Sequence, residues 1–168
     1  ITENSQIVPN NFYQINKIKN EKLILKNKHQ FIILRLSNIW GLDSPVGTFI
    51  GDQLLKLRNH SKLEIKNNDY KSFIDLVNYY DLINIIYNFI KLDEFQNLTL
   101  NICTGYSFKI SYLKNCFNNK KNIKLLENNY KRVFNTKNIK KLGFRIPLNF
   151  GHYYNKSKSD FYNKNVNY

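Results

Sequence analysis

The sequence predicts an α/β protein, and three observations lead there. Short apolar runs alternate with segments of helical spacing, the pattern of strands joined by helices. Phe31 to Leu36 is a continuous apolar run broken only by Arg35, as in a parallel-sheet strand buried on both faces. Ser37-Asn38-Ile39-Trp40-Gly41 then leaves the carboxyl end of that strand, where open α/β sheets bind their ligands.

In chain order, residues 1–11 are polar and carry Pro9, so they read as a loop. A helix is expected from about Asn11 to Lys28, with Ile15, Ile18, Leu23 and Leu25 as its apolar positions. The strand over Phe31–Leu36 follows. Gly41 to Gly47 reads as a loop and Thr48 to Asn59 as a helix. Short strands are expected at Leu63–Ile65 and Lys71–Leu76, separated by the turn signal Asn67-Asn68-Asp69. Asp81 is placed as the cap of a helix reaching Leu92, with Leu82, Ile85, Ile86 and Phe89 on one face. Leu98 to Cys103 reads as a strand that turns at Thr104-Gly105. A helix over Ser111–Phe117, a strand over Ile123–Leu126 and a short helix from Asn135 or Thr136 to Gly143 complete the order. Residues 151–168 read as an irregular tail.

The chain has 168 residues, the size of one domain or of part of a larger one. Its 42% hydrophobic content, with 15% aromatic, builds a core and argues against disorder. No apolar run approaches the roughly 20 residues that span a bilayer, and no secretory signal opens the chain. With Cys103 and Cys116 read as free core thiols, the expectation is a cytoplasmic protein. His29, His60 and His152 have no metal-ligand spacing, so no metal site is expected. The formal charge of +14 raises the question of nucleic acid. The lysines are scattered, and the Asn, Lys, Ile and Tyr excess fits a coding bias better than a nucleic-acid surface. The start at Ile1, with no Met anywhere, suggests a fragment or a processed product.

Tyr13 and Lys17 share one helix face, since residues four apart stack on a helix. A phenol beside a fixed ammonium can act as a base, because the positive charge favours the phenolate. The spacing alone is weak: Tyr13/Lys17, Tyr87/Lys91 and Tyr154/Lys158 all have it.

Flanking residues separate the three. Pro9-x-x-x-Tyr13-x-x-x-Lys17-x-x-x-Glu21 precedes the buried strand, whose end reads Leu34-Arg35-Leu36-Ser37-Asn38-Ile39-Trp40-Gly41. Lys71-Ser72-Phe73-Ile74, Asn101-Ile102-Cys103-Thr104-Gly105 and Thr136-Lys137-x-x-x-Lys141-Leu142-Gly143-Phe144-x-x-Pro147 follow in turn. In this order they resemble the C-terminal half of the NAD-dependent epimerase/dehydratase family, the extended short-chain dehydrogenases that act on nucleotide sugars. The resemblance covers roughly residues 3–150, and the domain it implies is placed at 1–150. It implies a Rossmann-like fold with an incomplete parallel sheet and a small α/β substrate-binding region.

The same resemblance implies the site. Tyr13 is the general base and Lys17 holds the nicotinamide ribose. Both contact the cofactor, NAD or NADP, as does Ser37. Asn38 and Lys71 contact the nucleotide-sugar substrate. Glu21 ties the helix to its surroundings, and the helix carrying Tyr13 and Lys17 is a possible homodimer face. The departures are Gln14 and Asn16 where the family has Gly and Ser, and Lys71 where some members have Arg. The family's glycine-rich cofactor loop is absent from these residues, which puts most of the cofactor site in a missing N-terminal portion. Two other classes remain: an inactive remnant or substrate-binding fragment, and a basic nucleic-acid module.

Overall fold

The computed structural model describes residues 1–41, 44–58, 73–92, 97–110, 130–131 and 133–146. Lys71, Cys116, His60, His152, the pair Tyr154/Lys158 and the tail at 151–168 lie outside these residues. So do the strands expected near 63–65 and 123–126 and the helix expected near 111–117.

Helix α1 is Phe12–Leu25, three residues shorter at its end than the spacing suggested. Asn11 caps it: its side-chain oxygen accepts from the Gln14 N–H at 2.9 Å, satisfying one of the free donors of the first turn. No residue of α1 is buried. The apolar positions Leu23 and Leu25 are exposed, so they do not form the expected buried face.

Strand β1 (Ile32–Leu36) pairs in parallel with β4 (Leu98–Ile102), in the register Ile32 with Leu98 and Leu36 with Ile102. Side chains alternate across a strand, so this register gives the pair two different faces. Ile32 and Leu34 join Leu98, Leu100 and Ile102 on one face, in the main core. Arg35 lies opposite Asn101, and Ile33 opposite Thr99, on the other.

A parallel pair needs a crossover, and the residues between β1 and β4 supply it. Strand β2 (Asn38–Trp40) follows β1 at once, then helix α2 (Phe49–Arg58), strand β3 (Phe73–Asn78) and helix α3 (Tyr79–Ile90). A second sheet runs β2-β3-β5-β6, where β5 is Ser107–Lys109 and β6 is Tyr130–Lys131. There β2 and β3 are parallel, while the β3–β5 and β5–β6 pairs are antiparallel. Strands β2, β5 and β6 were not anticipated: at two or three residues each they are too short to show a period.

Helix α3 is capped by Asn78, which accepts from the Tyr80 N–H at 3.0 Å, and not by Asp81. Asp81 sits in the first turn, where a negative charge meets the positive end of the helix dipole. Ile85 and Phe89 are buried and Leu82 packs beside them, but Ile86 is exposed. Phe89 meets the ring of Phe144 at 5.0 Å. Val77, Ile146 and Ile139, the last from helix α4 (Lys137–Lys141), complete this core. Each fully buried aliphatic side chain of this kind contributes about 1.5–3 kcal/mol.

Strand β3 carries one charge through this apolar setting. Asp75 is 1% exposed. Its Oδ1 accepts from the Thr104 N–H at 3.0 Å and the Ser37 hydroxyl at 3.2 Å, and Oδ2 accepts from the Gly105 N–H at 2.9 Å. Gly105 adopts φ +82°, a conformation that glycine takes without strain. A buried carboxylate is tolerated only when its lone pairs are met by donors. Asp75 thereby joins β3 to the ends of both β1 and β4.

Burial raises the Asp75 pKa above its ordinary 3.8, against the lowering effect of the hydrogen bonds from Thr104, Ser37 and Gly105. The folded state then holds this proton more tightly than the unfolded chain. The associated stability is fully present below about pH 4 and is lost as pH rises through the folded value. Urea unfolding of the wild type and of Asp75→Asn, compared across pH, is expected to show the wild type losing stability relative to the variant from about pH 4 upward; two parallel curves would refute this account.

Cys103 is buried and free, as expected of a core thiol. Burial and the nearby Asp75 charge push its pKa up to about 12. It should resist iodoacetamide at pH 8 in the folded protein and react once the chain is unfolded, read from the mass of the peptide containing it.

Candidate active site

Tyr13 and Lys17 stand one turn apart on α1, with the Lys17 ammonium 5.3 Å from the centroid of the Tyr13 ring. Tyr13 is 69% exposed. Proximity does not distinguish the pair: Lys91 lies 4.2 Å from the ring centroid of Tyr87 on α3. Position does distinguish it. Glu21 shares the helix face of Tyr13 and Lys17 and pairs with Arg35 of β1. Arg35 Nε donates to Glu21 Oε2 at 3.1 Å, and Nη2 donates to Oε1. The tie expected of Glu21 is therefore made, and it is made to the strand that leads to Ser37.

Ser37 and Asn38 meet at Asp75. Besides its hydroxyl bond to that carboxylate, Ser37 donates its N–H to the Ile102 carbonyl at 3.0 Å. Asn38 Nδ2 donates to the Asp75 carbonyl at 3.3 Å. Ser37 is half-buried and Asn38 is exposed. Both lie where β1 gives way to β2, at the carboxyl end of the parallel pair. Gly41 closes this segment against α3: a Cβ there would fall 2.1 Å from the Tyr79 ring.

The candidate site residues thus fall into two groups. Tyr13 and Lys17 meet on α1, Ser37 and Asn38 meet over Asp75, and the Glu21–Arg35 pair links the two elements. Lys71 lies outside the described residues. A cavity of about 370 Å³ is lined in part by Thr104, Tyr106, Thr136 and Lys140; none of the four candidate site residues lines it. Among the described residues there is no cluster of His, Cys, Asp and Glu that could hold a metal. No described helix is long and apolar enough to cross a membrane.

Sequence reasoning missed Asp75 and Glu3. Asp75 had a usable signal, since a carboxylate inside Phe73-Ile74-Asp75-Leu76-Val77 must find donors if that run is buried. Glu3 had none: it sits in a polar stretch, and its partner Asn101 is 98 residues away.

No family model matches the chain, and no curated protein does. Solved structures do. A UDP-N-acetylglucosamine 4-epimerase from Methanobrevibacter ruminantium M1, in complex with UDP-N-acetylmuramic acid, matches 98% of this chain with TM-score 0.75 and 15% identity. A dTDP-glucose 4,6-dehydratase from Bacillus anthracis str. Ames, in complex with NAD, matches 100% with TM-score 0.78 and 16% identity. A UDP-glucose 4-epimerase from Thermotoga maritima, with UDP-glucose, matches 99% with TM-score 0.76 and 15% identity. The matches take up 57%, 57% and 58% of those chains respectively. The order of elements, the parallel pair and the covering helices together show that this chain has the Rossmann-like α/β fold of the nucleotide-sugar epimerases and dehydratases, over little more than half of their length.

Proposed function

We propose that the chain is the tyrosine-bearing C-terminal portion of an NAD(P)-dependent nucleotide-sugar epimerase or dehydratase. The observation that carries this reading is the Glu21–Arg35 pair. It brings together two separate stretches of the resemblance, Pro9 to Glu21 and Leu34 to Gly41, on a fold that sugar-nucleotide epimerases and dehydratases share.

In this reading Tyr13 takes the proton of a sugar hydroxyl, and the neighbouring Lys17 charge stabilises the phenolate that does so. The reaction needs a hydride acceptor at the same carbon, which a nicotinamide dinucleotide supplies when bound. The chain's own groups fit one end of such a cofactor. Lys17 offers three N–H donors to ribose hydroxyls, and Ser37 offers a half-buried hydroxyl at the carboxyl end of β1. A glycine-rich pyrophosphate loop is not among these residues, so the adenine end would be held by a portion outside them. Asn38 has its carboxamide at the exposed rim, where a substrate diphosphate can accept from it; Lys71 is assigned to the same substrate.

The exposed Phe12, Leu23, Ile24 and Leu25 of α1 support a homodimer through this helix. A cytoplasmic setting, in which Cys103 stays a thiol, belongs to the same reading.

The test is Tyr13→Phe in the full-length enzyme, assayed with UDP- and dTDP-hexoses and NAD. Loss of a general base is expected to lower kcat by about 10²–10⁴-fold while circular dichroism and cofactor binding hold. Turnover close to wild type would remove Tyr13 from the mechanism.

A further inference from the structure

Helix α1 has no buried residue, yet it carries the groups whose direction matters most. Ile15 and Ile18 are half-buried, and the bonds that tie the helix to the sheet are polar. The Arg35 guanidinium engages both oxygens of Glu21 through Nε and Nη2, and Nη1 donates to the Glu3 carbonyl at 2.6 Å. The Glu3 carboxylate in turn accepts from the Asn101 N–H at 3.0 Å. Asn101 is the register partner of Arg35 across the parallel pair. The guanidinium is therefore fixed on two sides, by the helix and by a segment anchored to β4. Arg35 and Glu21 are 24% and 17% exposed, so water competes only partly for these bonds.

A planar fork gripping both oxygens of a carboxylate sets the orientation of that carboxylate, which a single ammonium does not. Residues 13, 17 and 21 follow one another at intervals of four, each advanced by about 40° around the helix. Holding Glu21 in a set direction therefore sets the rotational phase of the whole face. A helix feeding a strand of a parallel sheet runs back against it. Lys17 then lies about 6 Å, and Tyr13 about 12 Å, from Glu21 in the direction in which β1 reaches Ser37.

We propose that Arg35 is a positioning residue: gripped between Glu21 and the Glu3–Asn101 anchor, it sets the rotation of α1 and so the direction in which Tyr13 and Lys17 face the carboxyl end of β1. The orientation of α1 follows from the geometry of the pair. Its consequence for catalysis rests on the reading of Tyr13 and Lys17 as the reactive pair.

The experiment separates the two. Spin labels are placed at Lys17→Cys and Asn38→Cys in a Cys116→Ser background of this 168-residue chain, and the distance distribution between them is measured. A single narrow distribution is expected with Arg35 and Glu21 in place. Loss of that narrow peak is expected in Arg35→Lys and in Glu21→Gln, with amide exchange in β1 and β4 unchanged as evidence that the sheet remains folded. The same narrow peak in both variants overturns the proposal, whether or not the protein turns over a sugar nucleotide. In the full-length enzyme, Arg35→Lys is expected to lower kcat with KM for the sugar nucleotide nearly unchanged, because Tyr13 and Lys17 act on the reacting carbon and the cofactor rather than on the substrate diphosphate. Full kcat in Arg35→Lys would show that charge alone suffices and would overturn the role of the fork.

Discussion

Almost everything in this molecule follows from the parallel pairing of β1 with β4. Parallel strands cannot be joined by a tight turn, so the intervening chain must leave the sheet, cover it and return. That excursion contains β2, α2, β3 and α3, and it supplies two of the four strands of the second sheet. The register also gives the pair two unlike faces. One carries Ile32, Leu34, Leu98, Leu100 and Ile102 and takes α3 and α4 as its cover. The other carries Arg35 opposite Asn101 and is met by Glu21 of α1 and by the segment at Glu3.

The two faces are held by different physics, and this bears on function. The α3 face is an apolar core, strong and without direction. The α1 face adds to the buried Ile33 a set of directed bonds among charged and amide groups, individually weaker and sensitive to geometry. Directed bonds fix the rotation of a helix, whereas an apolar surface alone lets it slide. Asp75 plays the corresponding part at the end of the sheet. It is a buried acceptor meeting donors from β1's end and from the Thr104-Gly105 turn, so Ser37 and Asn38 are placed by the core rather than by a loose loop.

Legibility in the sequence followed the range of the forces. The strand at Phe31–Leu36, the helix of Tyr13 and Lys17 and the turn at Thr104-Gly105 could all be read, because hydrophobic runs, caps and glycines act over a few residues. The cap of α3 was misplaced at Asp81 because Asn78, Asp81 and their neighbours offer several competent side chains, and the exit angle of β3 chooses among them. Strands β2, β5 and β6 owe their existence to partners rather than to propensity. Of the apolar positions of α1, Ile15 and Ile18 are half-buried while Leu23 and Leu25 are exposed, because what covers a helix depends on which elements lie next to it.

The sequence by itself determined the α/β class and the chain order of the main elements, and its ordered motifs singled out Tyr13/Lys17 as the candidate pair among three equal spacings. Each of these is written in local pattern or in ordered motifs. The tertiary structure alone decided that Asp75 gathers Ser37, Thr104 and Gly105, and that Arg35 joins Glu21 to a segment anchored at Asn101. Those partners are separated by between 14 and 98 residues, and a hydrogen bond leaves no periodic trace across such distances. Only folding brings a donor and an acceptor to within 3 Å, and only then does a lone charge in an apolar strand become an organising centre.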